Sequence, residues 1–456
     1  MKKLLILAAL ALAGGLALPV SNILIFKGTP FRQYAQTGPA AAAIRPILEK
    51  KCVSCHSPHA EVPYYAAWPV AREIIGADIR AGTARFNAQR HFNPPGGGPV
   101  GEAALAELEY VTGNGSMPPL KFLALHWDSL LLAEDKRLFM NFIHETRKAH
   151  YATRLAAPLH QDDALQPLPD KVPTNPVKVT LGSKLYHDVR LSGDGKISCA
   201  TCHDLALGGT DREKVSTGIR DQLGPINAPT VFNAVFNFVQ FWDGRAKDLK
   251  EQAGGPVTNP KEMGANWPDV LATLSKDSTF TEQFRAVYRD GLSAGNIQDA
   301  IAEFEKTLVT PDSAFDRYLK GNPEALTPRE REGLRLFRQR GCYTCHVGKI
   351  VGGQSYEKMG LRRNYFADRG NVTEADAGRY NVTKKEEDRH FFKVPTLRNI
   401  ALTYPYFHDG STGDLTQAVK VMAKYQTENP MSDAEASRVA EFLKTLTGEY
   451  LGKKLS

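Results

Sequence analysis

The sequence has no cysteine to spare. All six fall in three Cys-x-x-Cys-His segments, Cys52-Cys55-His56, Cys199-Cys202-His203 and Cys342-Cys345-His346, which leaves none for a disulfide, a zinc site or a catalytic thiol. Methionine is scarce at seven residues, so thioether ligands to a metal can be considered one by one. No histidine lies between His203 and His346, and Met263 is the only methionine in that interval. Runs of alternating apolar and polar residues are few, which argues against a β-sandwich or barrel. Apart from the three segments there is no internal repeat, and there is no low-complexity tract.

What is present fits one chemistry. Two thiols three residues apart can each add to one vinyl group of a single haem, and the next residue then offers an imidazole to the iron. A lone segment of this kind could be a redox dithiol or half of a zinc site. Three that consume every cysteine point to three covalently bound haem c groups, with His56, His203 and His346 as iron ligands. The formal charge is +7, from 57 basic and 50 acidic residues. Two propionates on each haem nearly cancel it, so charge makes no case for a nucleic-acid partner.

Met1-Lys2-Lys3 precedes an almost wholly apolar run from Leu4 to Phe26. As a helix rising about 1.5 Å per residue, this run is long enough to cross a hydrocarbon core of about 30 Å. The lysines place that end in the cytoplasm and the rest outside, on the periplasmic side of a bacterial inner membrane. A cleaved signal peptide is the rival reading, with Ala11-Leu12-Ala13 as its cleavage site. Apolar sequence continues for another dozen residues beyond it, which favours a retained anchor.

The expected architecture is mainly α. Residues 1–27 are a membrane anchor or signal sequence, 38–150 an N-terminal c-haem domain and 151–176 a linker with a proline-rich core from Ala157 to Pro176. Residues 177–322 and 323–456 are two further cytochrome c-like haem domains. Thr327-Pro328-Arg329-Glu330 predicts a capping box opening a helix that runs into Cys342. Ser432-Asp433-Ala434-Glu435 predicts a second, with Val439, Phe442, Leu443 and Leu446 on one apolar face.

Function turns on the face of each iron opposite its histidine: a methionine there suits an electron carrier, an open face a catalyst. Met117, in Gly115-Ser116-Met117-Pro118-Pro119, is the expected ligand of the first iron, with His126 and His91 as competitors. Met422 follows the third segment among apolar neighbours, where packing and ligation are equally plain readings. For the second iron no strong side-chain ligand is at hand, so an open site is expected.

Four segments carry a resemblance: LGSKLYHDVRLSGDGKISCATCH, GPINAPTVFNAVFNFVQFWDGRAKDLKEQAGGPV, EKTLVTPDSAFDRYLKG and VPTLRNIALTYPYFHDG. From about Leu181 to Leu446 the chain resembles the bacterial dihaem cytochrome c peroxidases. With CVSCHSP, EVPYYAAWP, GSMPP and ALHW ahead of them, it is similar to the membrane-bound trihaem quinol peroxidases. The resemblance implies that the last two haem domains form a dihaem unit reducing hydrogen peroxide. Cys199, Cys202 and His203 would hold the peroxidatic haem. Cys342, Cys345 and His346 would hold the electron-transferring haem, with Met422 as its sixth ligand. A tyrosine in place of Met422 would imply oxidation of protein tryptophans instead.

Trp242 would lie on the electron path, while Glu262 and Gln252 would form the distal polar pair. Without the resemblance, Trp242 reads as a core aromatic and Glu262 as a surface carboxylate. Asn227, Thr403 and Pro405 would hold a calcium ion through oxygen donors. Relatives often carry a histidine, at the position of Ile219 here, that closes the peroxidatic iron in the oxidised state; isoleucine cannot. The implied donor is membrane quinol, with a small cytochrome c as the alternative. A non-catalytic multihaem electron conduit is the reading from another class, and three six-coordinate low-spin haems would mark it.

Overall fold

The computed structural model describes residues 16–427 and 430–456. The chain forms two compact units, 1–152 and 153–456, and both are mainly helical. The apolar run from Leu4 to Phe26 lies largely outside the described residues. Of its described part, 16–26, residues 16–25 are helical. Among the described residues no helix is long and apolar enough to cross a membrane.

In the first unit, helices Pro39–Lys51, Glu102–Asn114 and Ala133–His150 enclose a core that includes Ile44, Leu48, Leu105, Phe139 and Ile143. Arg147 is buried in it and bonds Glu102 at 2.7 Å and Glu109 at 2.8 Å. A buried cation is tolerable only with such partners. Helix Pro69–Arg85 buries none of its side chains fully.

The second unit repeats one device. Helices Pro176–Tyr186 and Ala294–Glu305 pack together behind the second Cys-x-x-Cys-His segment, and Pro328–Gln339 and Asp433–Lys444 do so behind the third. Each pair crosses at a glycine. A Cβ on Gly182 would lie 1.9 Å from Ala300 O, and one on Gly333 would lie 2.1 Å from Arg438 O. Only a missing side chain lets the backbones approach so closely.

Both capping boxes form. Glu330 N bonds Thr327 Oγ1 at 3.3 Å and Thr327 N bonds Glu330 Oε2 at 2.7 Å. Ser432 and Glu435 repeat the exchange. Val439, Phe442, Leu443 and Leu446 are buried. The first of these helices stops at Gln339, short of Cys342, because Arg340 caps it and the chain enters a 3₁₀ turn over Cys342–Thr344. Among the described residues, strands are confined to two short antiparallel pairs, Tyr356–Lys358 with Phe391–Lys393 and Glu449–Tyr450 with Lys453–Lys454.

The stretch 151–176, expected as a linker, is for much of its length a strap folded onto the second unit. Leu165 and Leu168 are buried, and Leu165 bridges Gly348 in parallel. Gly348 N donates to Ala164 O at 2.8 Å, and Leu168 N donates to Asp316 Oδ1 at 3.0 Å. Buried Arg398 ties the strap down, donating to Gln166 O at 3.1 Å while it pairs with Asp316 at 2.8 Å.

Candidate haem-binding and redox site

All three Cys-x-x-Cys-His histidines are prepared in the same way. His56 Nδ1 lies 2.9 Å from Gly82 O and 3.0 Å from Phe86 O. His203 Nδ1 lies 3.3 Å from Gly209 O, and His346 Nδ1 lies 3.3 Å from Val351 O. A carbonyl can only accept, so each Nδ1 carries the hydrogen and each Nε2 is left with its lone pair and no protein partner. This is how proteins orient an imidazole that ligates a metal. Burial holds all three rings below their ordinary pKa, that of His346 at about 4, in the neutral form that binds iron. Burial also pushes the Cys52, Cys199 and Cys342 thiols up to about 12. A reactive dithiol needs the opposite shift. These residues fit covalent haem.

Around the first segment, Met117 is half-buried in the loop that follows Glu102–Asn114. His126 has both ring nitrogens engaged, Nδ1 at 3.1 Å from Phe122 O and Nε2 at 3.3 Å from Tyr65 Oη. His91 packs on Phe86 at 4.6 Å, and Phe86 in turn meets His56 at 5.9 Å, which places His91 beside His56.

Around the second, helix Leu249–Thr258 carries half-buried Gln252 and leads into the turn that holds Glu262. Glu262 Oε1 accepts from Asn259 Nδ2 at 2.7 Å. Burial raises the pKa of its carboxyl, against the opposing pull of Arg245 and Asn259. Ile219 is buried beside it. Its N donates to Glu262 O at 2.7 Å, and Gln222 Nε2 donates to Pro260 O at 2.9 Å. Its side chain joins Leu191, Ile197, Val257 and Met263 in one apolar cluster, so Met263 is core packing.

Trp242 and Met422 come together around a third cluster built on Phe366, Phe392 and Tyr425. Trp242 is pinned at both ends: Nε1 donates to Asn227 O at 2.9 Å, and its carbonyl accepts from Lys393 N at 2.7 Å. Its ring meets His408 at 6.3 Å. Asn227 N donates to His408 O at 2.8 Å, which sets Asn227 against the loop carrying Thr403 and Pro405. Asn227 Nδ2 donates to Glu213 O at 2.9 Å, which turns the amide nitrogen, and not its oxygen, to the backbone.

Two features here escape sequence reasoning. Asp376, His408 and Asp409 converge, but Arg369 bridges both carboxylates, at 2.6 Å to Asp376, so the cluster is an ion-pair network. Lys393 is buried, and burial brings its ammonium down to about 8. A lone lysine in the apolar run Phe391-Phe392-Lys393-Val394 was the available signal.

The family model for di-haem cytochrome c peroxidase matches residues 176–324, that for a haem-binding domain 27–145, and that for cytochrome c 330–447. The cytochrome c peroxidase Ccp of Escherichia coli is 46% identical over 406 residues, 89% of this chain and 87% of that protein. The chain belongs to the dihaem cytochrome c peroxidase family. This peroxidase is also 48% identical to the cytochrome c551 peroxidase of Nitrosomonas europaea over 64% of its own length and 87% of that relative. Among solved structures, a MauG-like protein associated with microbial copper homeostasis matches with a TM-score of 0.56 and 28% identity, over 62% of this chain and 93% of that one. The peroxidase is therefore a haem-dependent oxidoreductase with covalently bound haem c, and it carries an additional haem-binding domain ahead of the dihaem unit.

Proposed function

We propose that the chain is a trihaem quinol peroxidase, passing electrons from membrane quinol through three c-type haems to hydrogen peroxide. The observation that carries this reading is the first Cys-x-x-Cys-His segment, which sits in a compact unit of its own with His56 set as His203 and His346 are. A dihaem unit alone needs no such addition. Cys52 and Cys55 would hold the haem that receives electrons from the donor, Cys342 and Cys345 the one that relays them, and Cys199 and Cys202 the one at which peroxide is reduced, with Trp242 lying on the path between the last two.

Met117 and Met422 would be the second protein ligands of the first and third irons. The engagement of both His126 nitrogens and the place of His91 beside His56 support Met117. At the second, Ile219 and Met263 are apolar packing, so among the described residues His203 would be its one protein ligand. Haem bound there supplies the redox chemistry of oxygen–oxygen cleavage. The chain supplies the proton traffic: Glu262 takes a proton from peroxide and returns it to the departing oxygen, with Gln252 orienting the substrate. The raised pKa of Glu262 suits a group that must both accept and donate. Asn227 through its side chain, with Thr403 and Pro405, would hold calcium and so join the two haem domains of the dihaem unit. The apolar run from Leu4 to Phe26 would anchor the protein to the periplasmic side of the inner membrane.

A small cytochrome c as donor is the second reading, favoured by the likeness to cytochrome c551 peroxidase. Peroxide turnover with a short-chain ubiquinol and with a reduced small cytochrome c, measured side by side on full-length protein, decides between them. Turnover with the cytochrome alone would overturn the quinol reading.

A further inference from the structure

In the first unit, a half-open cleft of about 250 Å³ lies between the helix over 16–25 and the segment around Tyr64. Its size is just below the ~300–1,000 Å³ usual for ligand sites, which suits one substituted ring. Ile25, Phe26, Val62, Pro63 and Tyr64 supply apolar and aromatic walls, and Asn22 supplies an amide.

The hydrogen bonds around Asn22 specify what is missing. Asn22 Nδ2 spends both hydrogens, on Leu125 O at 2.7 Å and on Tyr65 Oη at 3.0 Å. The carbonyl of Phe122 fixes the hydrogen of His126 on Nδ1, so Nε2 is an acceptor and the Tyr65 hydroxyl donates to it. Every donor in this chain is then satisfied. The atom left over is Asn22 Oδ1, an acceptor without a partner on a side chain only 2% exposed. A buried acceptor left empty is unfavourable, so the cleft calls for a ligand that donates.

We propose that this cleft binds the ring of a reduced quinol, one ring hydroxyl donating to Asn22 Oδ1; the inference rests on the quinol-donor reading above. The oxidised quinone has no hydroxyl to give, so the same atom favours entry of the donor and exit of the product. Each quinol would yield two electrons, one at a time, to the haem held by Cys52 and Cys55, and two protons to solvent. These match the two electrons and two protons that convert one hydrogen peroxide to two waters.

Two further observations fit a donor that arrives from lipid and gives its electrons to a haem on Cys52 and Cys55. The helix that carries Asn22 exposes Leu16, Val20, Ile23 and Leu24, an apolar face suited to a lipid-soluble donor. On the other side, Thr29 links the cleft wall to the haem attachment loop: its Oγ1 meets Ser54 Oγ at 3.3 Å and accepts from Glu61 N at 2.9 Å.

The test uses full-length holoprotein, a short-chain ubiquinol as probe, and the variants Asn22→Ala and Val62→Trp. The first removes the acceptor. The second fills the cleft from a half-exposed position, where misfolding is not at issue. We expect KM for the quinol to rise about tenfold or more in both, the scale of one lost hydrogen bond or a blocked wall. Reduction of the haem bands on anaerobic mixing with quinol should slow in parallel. A one-electron inorganic donor, which bypasses the cleft, reports whether the remaining electron path is intact. If Asn22→Ala loses that activity too, Val62→Trp decides alone. Wild-type quinol kinetics in haem-loaded Val62→Trp would place the site elsewhere and leave the donor reading standing. A wild-type protein that ignores quinol would remove both.

Discussion

At the scale of one residue, Glu262 gives the sharpest test of the chemistry. Glutamine keeps its shape and its hydrogen bond to Asn259 geometry but cannot take a proton. Glu262→Gln should retain its haems and lose about 100-fold or more in peroxide turnover, the usual scale for a general acid–base. Near-normal turnover in a haem-loaded variant would remove Glu262 from the mechanism. Glu305 tests electrostatics instead. It is buried at the end of Ala294–Glu305 with Oε2 unpaired, and burial pushes its carboxyl up to about 8. Unfolded, it titrates near about 4.3. The folded state thus keeps a proton that the unfolded state gives up. The stability this lends is complete below about pH 4.3 and is lost as pH rises through about 8. Denaturant midpoints measured at about pH 5 and about pH 8 should converge more closely in Glu305→Gln than in wild type. Equal losses in both would mean that Glu305 is ionised and paired in the holoprotein. Legibility also varies by residue. The cysteines and histidines announce themselves because their spacing is their chemistry. Glu262 was visible only through resemblance, since a lone glutamate beside a methionine carries no signal. Asn22 could not be seen at all, because its meaning lies in partners 43 and 103 residues away.

At the scale of elements, the helices that were legible are those whose ends are written locally, as at Thr327 and Ser432. What pairs them was not legible: Gly182 and Gly333 look like ordinary interior glycines until the partner backbone is in place. Alanine at Gly333 puts a methyl group on Arg438 O, and we expect a loss of about 3 kcal/mol or more, read from denaturation of the holoprotein. A stable Gly333→Ala variant would show that the two helices can separate at little cost. The 3₁₀ turn Ile219–Asp221 makes a functional prediction. It is held to the Glu262 turn by the bond from Ile219 N to Glu262 O and by a buried isoleucine, so no ligand-bearing loop should have to move aside. The oxidised protein as isolated should show one high-spin iron beside low-spin ones, and peroxide should react on mixing without prior reduction. A lag relieved only by reductant would reveal a distal ligand other than Ile219.

At the scale of the whole molecule, the boundary between the two compact units falls at Ala152/Thr153, and the strap decides where the chain can be cut. Proline-rich composition from Ala157 to Pro176 reads as a tether because composition cannot report a single bridge to Gly348 or two leucines bound for a core. The structure makes two truncations unequal. Removal of residues 1–152 keeps the strap, with Leu165 and Leu168 buried and Gln166 O still answering Arg398. That fragment should fold with two haems and reduce peroxide with small one-electron donors, but lose turnover with quinol, since the first haem and the cleft are gone. Removal of residues 1–176 takes the strap as well. Arg398 then loses one acceptor but keeps Asp316, and the leucine sites empty, with a cost of about 2–5 kcal/mol by the scale of a leucine removed from a core. The longer truncation should therefore denature at lower denaturant and bind haem less completely than the shorter. If both fragments are equally stable, the strap is a passive tether. If the shorter truncation oxidises quinol as well as the full chain does, electrons do not enter through the first haem.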